Sequence, residues 1–262
     1  MNIIKKRIAE KGYAAGTFVG VSTPEIIEGI SRSGLDYIII DTEHGPYDTM
    51  PMSDLIIAAT RSGLSPVVRI ADVTHKEIQR AVDNGAEGII VPCLRDVEEF
   101  RRVVELGKFP PIGKRGFMWS RGSGFGQEDW ASGGMESYMR NSNEKVLLLP
   151  QCETVEALEH IEEIVRIDGI DGIFIGPFDL SISMGIPGEF DNPVFEEAVE
   201  RILRACKEAG KLCVYFSLKP EDAGQAVRRG FDAVAVSMDI FILADAYREM
   251  TDKIAKSAKK QD

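Results

Sequence analysis

Two carboxylates stand directly after two apolar runs of this chain of 262 residues. Glu153 follows residues 146–149, and Asp179 follows residues 172–175. If both runs are strands of one parallel sheet, both acids lie at the edge where the carboxyl ends of the strands meet. Carboxylate oxygens suit hard cations such as Mg²⁺ or Mn²⁺, which keep open positions for water and substrate. The sequence therefore predicts a divalent-metal site that leaves room for a small ligand.

Further polar side chains follow other apolar runs and are expected at the same edge. Asp41, Glu43 and His44 end the second run, Arg69 ends the third, and Gln151 precedes Glu153. The imidazole of His44 can carry protons near neutral pH, and Arg69 at the end of a buried run needs an anionic partner. A second interpretation stays open, in which Arg69 forms a fixed salt bridge and the acids only stabilise helix N-termini.

The residues that would position this chemistry form short β-rich runs, which alternate with amphipathic helical stretches. The predicted strands are residues 16–19, 37–41, 66–70, 88–91, 145–149, 172–175, 212–216 and 232–236. The predicted helices are residues 24–33, 75–83, 96–106, 155–166, 193–208 and 220–228. This alternation, without a break in composition, predicts a single (β/α)₈ TIM barrel of the α/β class over residues 1–262. A doubly wound sheet is the competing fold.

Composition and charge exclude several classes of function. The net charge of −11, with lysine and arginine scattered among acids, argues against a nucleic-acid or anionic-membrane surface. A small solute is the expected partner. The first 12 residues are charged where a signal peptide needs an apolar stretch, and no apolar run approaches the ~20 residues of a membrane span. We therefore expect a cytoplasmic protein, with its four cysteines reduced because their spacing matches neither a zinc site nor a disulfide scaffold.

One connection, residues 108–143, is long, rich in glycine and contains both tryptophans. Connections of this size often form lids or subunit contacts. Residues 121–126 read Arg-Gly-Ser-Gly-Phe-Gly, but this segment neither follows a strand nor opens a clear helix. The context of a dinucleotide fingerprint is missing, so nucleotide binding is not predicted.

Together these residues resemble the pyruvate-dependent class II aldolases of the HpcH/HpaI type, which include dihydroxyheptenedioate and 2-keto-3-deoxy sugar-acid aldolases. The resemblance extends from Gly16 to about Ala244. Its most specific segments are residues 41–46, 68–69, 91–92, 110–116, 151–154 and 175–181.

The resemblance implies a barrel with a swapped final helix, assembled as a hexamer. It also implies a divalent metal held by Glu153 and Asp179, with Mg²⁺ or Mn²⁺ favoured over Co²⁺ or Zn²⁺. Pyruvate would chelate this metal, with backbone amides near Phe178 and Asp179 holding its carboxylate. Arg69 matches the arginine that stabilises charge on the keto or enolate oxygen, and Gln151 lies beside the metal ligands.

The proton-transfer groups also come from the resemblance. His44 matches the catalytic histidine, and Asp83 matches an aspartate that reaches it from a neighbouring subunit. Asp41 and Glu43 are expected to orient His44 and metal-bound water rather than bind the metal.

Three departures from the family pattern leave the aldehyde specificity open. Phe178 stands where small residues are also used, Phe18 takes a pocket position often held by tryptophan, and residues 117–120 diverge from the lid region.

The expected reaction is the reversible aldol cleavage of a 4-hydroxy-2-keto acid to pyruvate, or a related 2-keto acid, and an aldehyde. Two alternatives remain. One is a citrate-synthase-like or decarboxylating enzyme that uses the same metal-enolate chemistry, and the other is a keto-acid-binding barrel without turnover.

Overall fold

Eight parallel strands close into a barrel and pair in chain order, β1 with β2 through to β8 with β1. The computed structural model describes residues 1–45 and 47–258, so Pro46 of the segment 41–46 and residues 259–262 lie outside it. The strands are β1 Ala14–Val19, β2 Tyr37–Asp41, β3 Ser65–Arg69, β4 Gly88–Val91, β5 Leu147–Cys152, β6 Gly172–Ile175, β7 Leu212–Ser217 and β8 Ala233–Met238. The predicted barrel is confirmed, and closure rules out the doubly wound sheet.

The helices pack around the barrel and include several that the sequence patterns did not predict. They are α1 Ile3–Lys11, α2 Pro24–Ile30, α3 Thr49–Arg61, α4 His75–Asn84, α5 Val97–Gly107, α6 Met135–Lys145, α7 Val155–Glu159, α8 Ile161–Ile164, α9 Pro177–Ser183, α10 Pro193–Glu208, α11 Pro220–Arg229 and α12 Asp239–Ala258. The predicted helix 155–166 is divided into α7 and α8 because His160 leaves the helical conformation, at φ −106° and ψ 12°.

Side chains of each strand alternate between the barrel interior and the surrounding helices. Ile39 and Val67 pack inside the barrel, whereas Ile38 and Ile40 belong to the core between strands and helices. The same alternation places Asp41 on the inner side of β2, two residues after Ile39. A strand buried on both faces thus ends in a charged residue that faces the mouth of the barrel.

The strand β5 extends three residues further than predicted, to Cys152 rather than residue 149. Pro150 lacks an N–H donor, which favours a strand end in a sequence pattern. In the structure Pro150 stays in register with Val91 of β4. As a result Gln151 belongs to the strand, and its side chain is fixed by the barrel rather than by a loop.

The long connection between α5 and β5 is fixed along α4. Arg115 donates to Asp83 at 2.9 Å, and Arg121 donates to the backbone oxygen of Asn84. The aromatic side chains Phe109, Phe117, Trp119, Trp130 and Tyr138 pack together in this segment. It therefore does not lie across the mouth of its own barrel.

None of the helices within residues 1–45 and 47–258 is both long and apolar enough to cross a membrane.

Candidate active site

The centre of the site is a buried ion pair between neighbouring strands. Asp41 and Arg69 are register partners at the ends of β2 and β3. Arg69 Nε and Nη2 donate to the two carboxylate oxygens of Asp41, at 2.9 and 2.7 Å. Burial alone would lower the pKa of Arg69, but the hydrogen bond and charge of Asp41, with the charges of Glu43 and Glu153, raise it. Arg69 is therefore a fixed cation in a defined orientation.

Glu43 lies on the other side of the same guanidinium. Its Oε2 is 3.1 Å from Arg69 Nη1, yet this buried oxygen has no partner with acceptable hydrogen-bond geometry among the described residues. Burial is the main cause that raises the pKa of Glu43, against the lowering effect of Arg69 and His44. Glu43 is thus a carboxylate with an oxygen left available for another positive group.

Glu153 is held by two donors just beyond β5. The backbone N–H of Cys93 donates to Oε1 at 2.5 Å, and the side-chain amide of Gln151 donates to Oε2. Cys93 reaches this position with a left-handed backbone, at φ 61°, a conformation that costs energy outside glycine and often marks a functional site. Burial raises the pKa of Glu153 to about 7, with further contributions from the charges of Asp179 and Glu43.

The absence of a side chain at Gly176 leaves space for the hydrogen-bonded side chains of Glu153 and Gln151. A Cβ atom at Gly176 would lie 2.6 Å from Glu153 Oε2 and 2.9 Å from Gln151 Nε2. Any larger residue would displace both side chains. The oxygen of the same amide, Gln151 Oε1, is buried and has no hydrogen-bond partner in the part of the chain that the structure describes.

His44, Arg69, Gln151 and Asp179 line one cavity of about 200 Å³ at the mouth of the barrel. His44 has 71% of its side chain exposed, with Nε2 at 3.8 Å from Glu43 Oε2. Asp179 is in the first turn of α9. The residues predicted to share the carboxyl ends of the strands are therefore together, with Glu153 buried directly behind Gln151.

Asp41 contacts the described part of the loop of His44 through backbone N–H groups. Its Oδ1 accepts from the N–H groups of Glu43 and His44 at 3.1 and 3.4 Å. The carboxylate thus orients Arg69 directly and His44 through the loop.

Asp83 is not brought to His44 within one chain. It lies near the end of α4 and accepts from Arg115. Since α4 runs back along the barrel before β4 begins, this end lies opposite the mouth. A contact between the two residues requires a second chain.

Several lining residues had no predicted role. Phe18 and Phe178 were expected in the pocket, and the structure adds Phe174, Phe216, Ser237, Met238 and Phe241. Because side chains alternate along a strand, Phe216 could have been predicted to face the cavity, since it lies two residues after the interior Val214. Phe241 depends on where α12 leaves the barrel, and sequence patterns carry no signal for that.

The protein oxygens near Glu153 suit a metal that keeps several positions for other ligands. Within the described residues, no three His, Cys, Asp or Glu side chains are grouped as a complete metal cage. Glu153 and Asp179, with the unpartnered oxygens of Gln151 and Glu43 nearby, offer a partial set of hard ligands instead.

A closed barrel with acids, an arginine and a histidine at the carboxyl ends of its strands defines a (β/α)₈ enzyme. The chain belongs to the HpcH/HpaI aldolase/citrate lyase family, whose model matches residues 14–246. It is therefore an enzyme of the carbon–carbon lyase class, as the sequence predicted.

Individual relatives support this assignment over almost the whole chain. The 2-keto-3-deoxy-L-rhamnonate aldolase of Escherichia coli strain K12 is 31% identical over 247 residues, which cover 94% of this chain and 90% of that protein. A crystal structure of an HpcH/HpaI aldolase from Desulfitobacterium hafniense DCB-2 has a TM-score of 0.87 and 31% identity, covering 100% of this chain and 98% of that one. The citrate synthase SbnG has a TM-score of 0.83 and 28% identity, with 98% of each chain covered.

Proposed function

We propose that the protein catalyses the reversible aldol cleavage of a 4-hydroxy-2-keto acid to pyruvate, or a related 2-keto acid, and an aldehyde. The observation that supports this proposal is that Asp41 orients the Arg69 guanidinium beside several carboxylates whose negative charges are only partly neutralised. Cleavage leaves the enolate of the keto acid, and a fixed positive charge stabilises such an anion where it develops. The family and the aldolase relatives support the same reaction.

The residues at Glu153 fit a divalent metal cofactor. The buried oxygens of Gln151 and Glu43 lack partners among the described residues, and burial, followed by the charges of Asp179 and Glu43, raises the pKa of Glu153. We assign Glu153 and Asp179 as the metal-holding residues, with Mg²⁺ or Mn²⁺ favoured by oxygen ligands and Co²⁺ or Zn²⁺ as further candidates. A bound divalent ion would supply a Lewis acid for the keto group of the substrate.

In this proposal Arg69 stabilises the charge on the keto oxygen, and His44 transfers a proton. Two N–H groups of Arg69 bind Asp41, so the others can donate to the keto oxygen and stabilise its charge. In condensation the methyl carbon of pyruvate gives a proton to a solvent-exchangeable group, the resulting enolate carbon bonds to the aldehyde carbon, and the aldehyde oxygen takes up a proton. We assign to His44 the transfer of a proton to that oxygen, and in cleavage the removal of the proton from the 4-hydroxyl. Phe178 and Asp179 contact the keto acid from the first turn of α9.

Exchange of the methyl protons of pyruvate in deuterated water tests the first half of this reaction. With Mg²⁺ or Mn²⁺ present we expect exchange without any aldehyde, and a chelator should abolish it. Among the described residues, the buried lysine is Lys108. It pairs with Asp171 at 2.7 Å and lies away from the cavity. Borohydride should therefore leave exchange intact, whereas borohydride-sensitive, metal-independent exchange would overturn the proposal in favour of a lysine imine.

Two substitutions, compared in the same exchange measurement, test whether Glu153 holds the metal. Glu153→Gln keeps the shape of the side chain but removes its charge, and we expect exchange to fall at least about 100-fold. Glu156→Gln is the matched control, because Glu156 lies three residues further and is half exposed, with a relative side-chain exposure of 50%. Equal exchange in the two variants would contradict the assignment of Glu153.

A citrate-synthase-like reaction is the second candidate, because SbnG aligns over 98% of the chain. Such an enzyme would condense the enolate of an acetyl donor with the keto group of oxaloacetate rather than with an aldehyde. Product analysis with pyruvate and a panel of aldehydes, and separately with oxaloacetate and an acetyl thioester, distinguishes the two reactions.

We further propose that the protein works as an oligomer with α12 docked on a second copy. Tyr247, Met250 and Ile254 of α12 are 62%, 49% and 61% exposed. Their spacing places them on one face of the helix. A second copy of the chain would cover this face, and a hexamer of this kind would allow Asp83 of one protomer to approach His44 of another.

A further inference from the structure

The mouth of the barrel is divided into a polar half and an aromatic half. Going around the closed barrel, β2, β3 and β5 carry the polar residues Asp41, Arg69 and Gln151 near their ends, and Glu153 directly follows β5. The strands β6, β7, β8 and β1 complete the circle. They contribute aromatic and apolar side chains to the same cavity.

The aromatic half is a packed surface rather than a set of isolated rings. The ring of Phe18 meets the rings of Phe216 and Phe174 edge to face, with centroids 5.3 and 6.2 Å apart. Phe178 lies 6.2 Å from Phe216. Phe241 and Met238 also line the cavity. Rings that support one another in this way form a wall of fixed shape.

This wall offers little to a hydroxylated ligand. Among the described residues that β1, β6, β7, β8, α9 and α12 contribute to the cavity, the polar side chains are Ser237 and Asp179, and we have assigned Asp179 to the metal. Arg69 lies over the ring of Phe18, 4.9 Å from its centroid, so the two halves of the mouth meet at Phe18. A ligand hydroxyl placed against the rings would lose its hydrogen bonds to water without replacing them. The cavity of about 200 Å³ is also small, so a ligand must sit close to the rings.

We infer that the aromatic half binds the aldehyde, and that the protein uses small apolar aldehydes in preference to hydroxylated aldehydes of the same size. This inference rests on the proposed function, in which the keto acid occupies the polar half next to Arg69. The carbon–carbon bond then forms between a ligand on each half, with the proton balance given above. Phe18, Phe178, Phe216 and Met238 determine the specificity.

A matched pair of aldehydes tests the preference. Isobutyraldehyde and lactaldehyde differ by one methyl group in place of one hydroxyl group. With pyruvate and saturating Mn²⁺, and with concentrations corrected for hydration of the carbonyl, we expect kcat/KM for isobutyraldehyde to be about 10- to 100-fold higher. A ratio of one or below in the wild-type protein overturns the inference, and this result does not depend on any variant folding.

A substitution in the wall shows whether the preference arises there. Met238→Gln replaces a thioether by an amide of similar length and should lower the isobutyraldehyde-to-lactaldehyde ratio about tenfold or more. Comparing this ratio between the variant and the wild-type protein cancels the different intrinsic reactivities of the two aldehydes. Met135→Gln is the control, since Met135 is 53% exposed at the start of α6 and does not line the cavity. An unchanged ratio in a folded Met238→Gln protein would refute the role of the wall.

Proton exchange of pyruvate without aldehyde separates this inference from the proposed function. If the wild-type protein exchanges the methyl protons of pyruvate but prefers lactaldehyde, the assignment of the aldehyde to the aromatic half is wrong and the proposed function stands. If the wild-type protein does not exchange these protons, both the proposed function and this inference are wrong.

Discussion

Arg69 shows how one side chain can fill two roles that the sequence left open. The structure contains the fixed salt bridge, because Nε and Nη2 both donate to Asp41. The guanidinium nevertheless lines the cavity. The salt bridge therefore supplies the orientation that a catalytic cation needs, and the two interpretations are compatible.

Substitutions of Arg69 by alanine and by lysine should separate the effect of its positive charge on kcat from the effect of its orientation. For Arg69→Ala we expect kcat to fall about 100- to 1,000-fold, and Arg69→Lys should recover only part of it because lysine cannot bind Asp41 through two parallel donors. Steady-state kinetics check this, with circular dichroism to confirm folding. Arg95→Ala is the control, since Arg95 forms an exposed pair with Glu156 at 3.2 Å. Near-normal kcat in Arg69→Ala would refute the role of Arg69.

Cys93 should be an unreactive thiol despite its exposure. Desolvation, followed by the charges of Glu153 and Glu43, raises the pKa of Cys93 to about 11. Because negative neighbours disfavour the thiolate, alkylation by iodoacetamide in chelator should be slow at pH 8. It should accelerate about tenfold for each pH unit up to about pH 10.

Mass spectrometry of the alkylated protein checks this pH profile. Glu43→Gln should raise the rate at pH 8, since one negative charge is removed from beside the sulfur, which lies 3.6 Å from Glu43 Oε1. A rate that levels off near pH 9 in the wild-type protein would mean that the thiol has an ordinary pKa.

Among the structural elements, α12 contributes least to the core of its own barrel. Of its described residues, Asp239 at its first position is the buried one. Asp239 accepts from the backbone N–H groups of Gly20 and Val21 at 2.7 and 3.1 Å. This anchor fixes the start of α12 beside the mouth of the barrel, while the rest of the helix leaves its apolar face open.

Charges on this face should dissociate the assembly. We expect Tyr247→Glu combined with Ile254→Glu to convert an oligomer to monomers in sedimentation experiments, because the acids would be buried without partners. Lys256→Glu is the control, since position 256 lies on the opposite side of the helix from the apolar face. A wild-type protein that sediments as a monomer would exclude the docking of α12 on a second copy.

At the scale of the whole molecule, one buried lysine joins three parts of the barrel at the end away from the site. Lys108 Nζ donates to Asp171 Oδ2 at 2.7 Å, and to the backbone oxygens of Asn143 and Val146 at 2.6 and 2.7 Å. Its side chain is 2% exposed. This network ties the long connection after α5 to α6 and to the start of β6.

Removal of this lysine should lower the free energy of unfolding without touching the site. For Lys108→Met we expect a loss of about 3 kcal/mol, because a buried carboxylate and two carbonyls lose a donor. Lys5 still pairs with Asp171 at 2.9 Å, which limits the loss. Urea unfolding at fixed protomer concentration measures it.

Lys114→Met provides the matched comparison for that measurement. Lys114 is 79% exposed and pairs with Glu105 at 2.7 Å, so its removal should cost about 1 kcal/mol or less. Equal losses in the two variants would show that the buried network does not stabilise the barrel.

The predicted position of a residue agrees with the structure where that position depends only on the strand that precedes it. Asp41 and Arg69 end apolar runs, and strand periodicity already places such residues at the mouth of a barrel. The extension of β5 to Cys152 was missed because a proline within a run resembles a strand end. The hydrogen bond from Cys93 to Glu153 was missed because residues 60 positions apart meet only when β4 and β5 pair.

The sequence by itself determined the barrel, the acids and arginine at its mouth and the family, because apolar periodicity and short motifs are local properties of the chain. The tertiary structure decided which groups neutralise one another, since Asp41 rather than Glu43 accepts the hydrogen bonds from Nε and Nη2 of Arg69. It also decided that the aromatic side chains gather on one half of the mouth, because that depends on the order in which the strands close. Contacts between distant segments follow from closure of the barrel, which is a property of the whole chain.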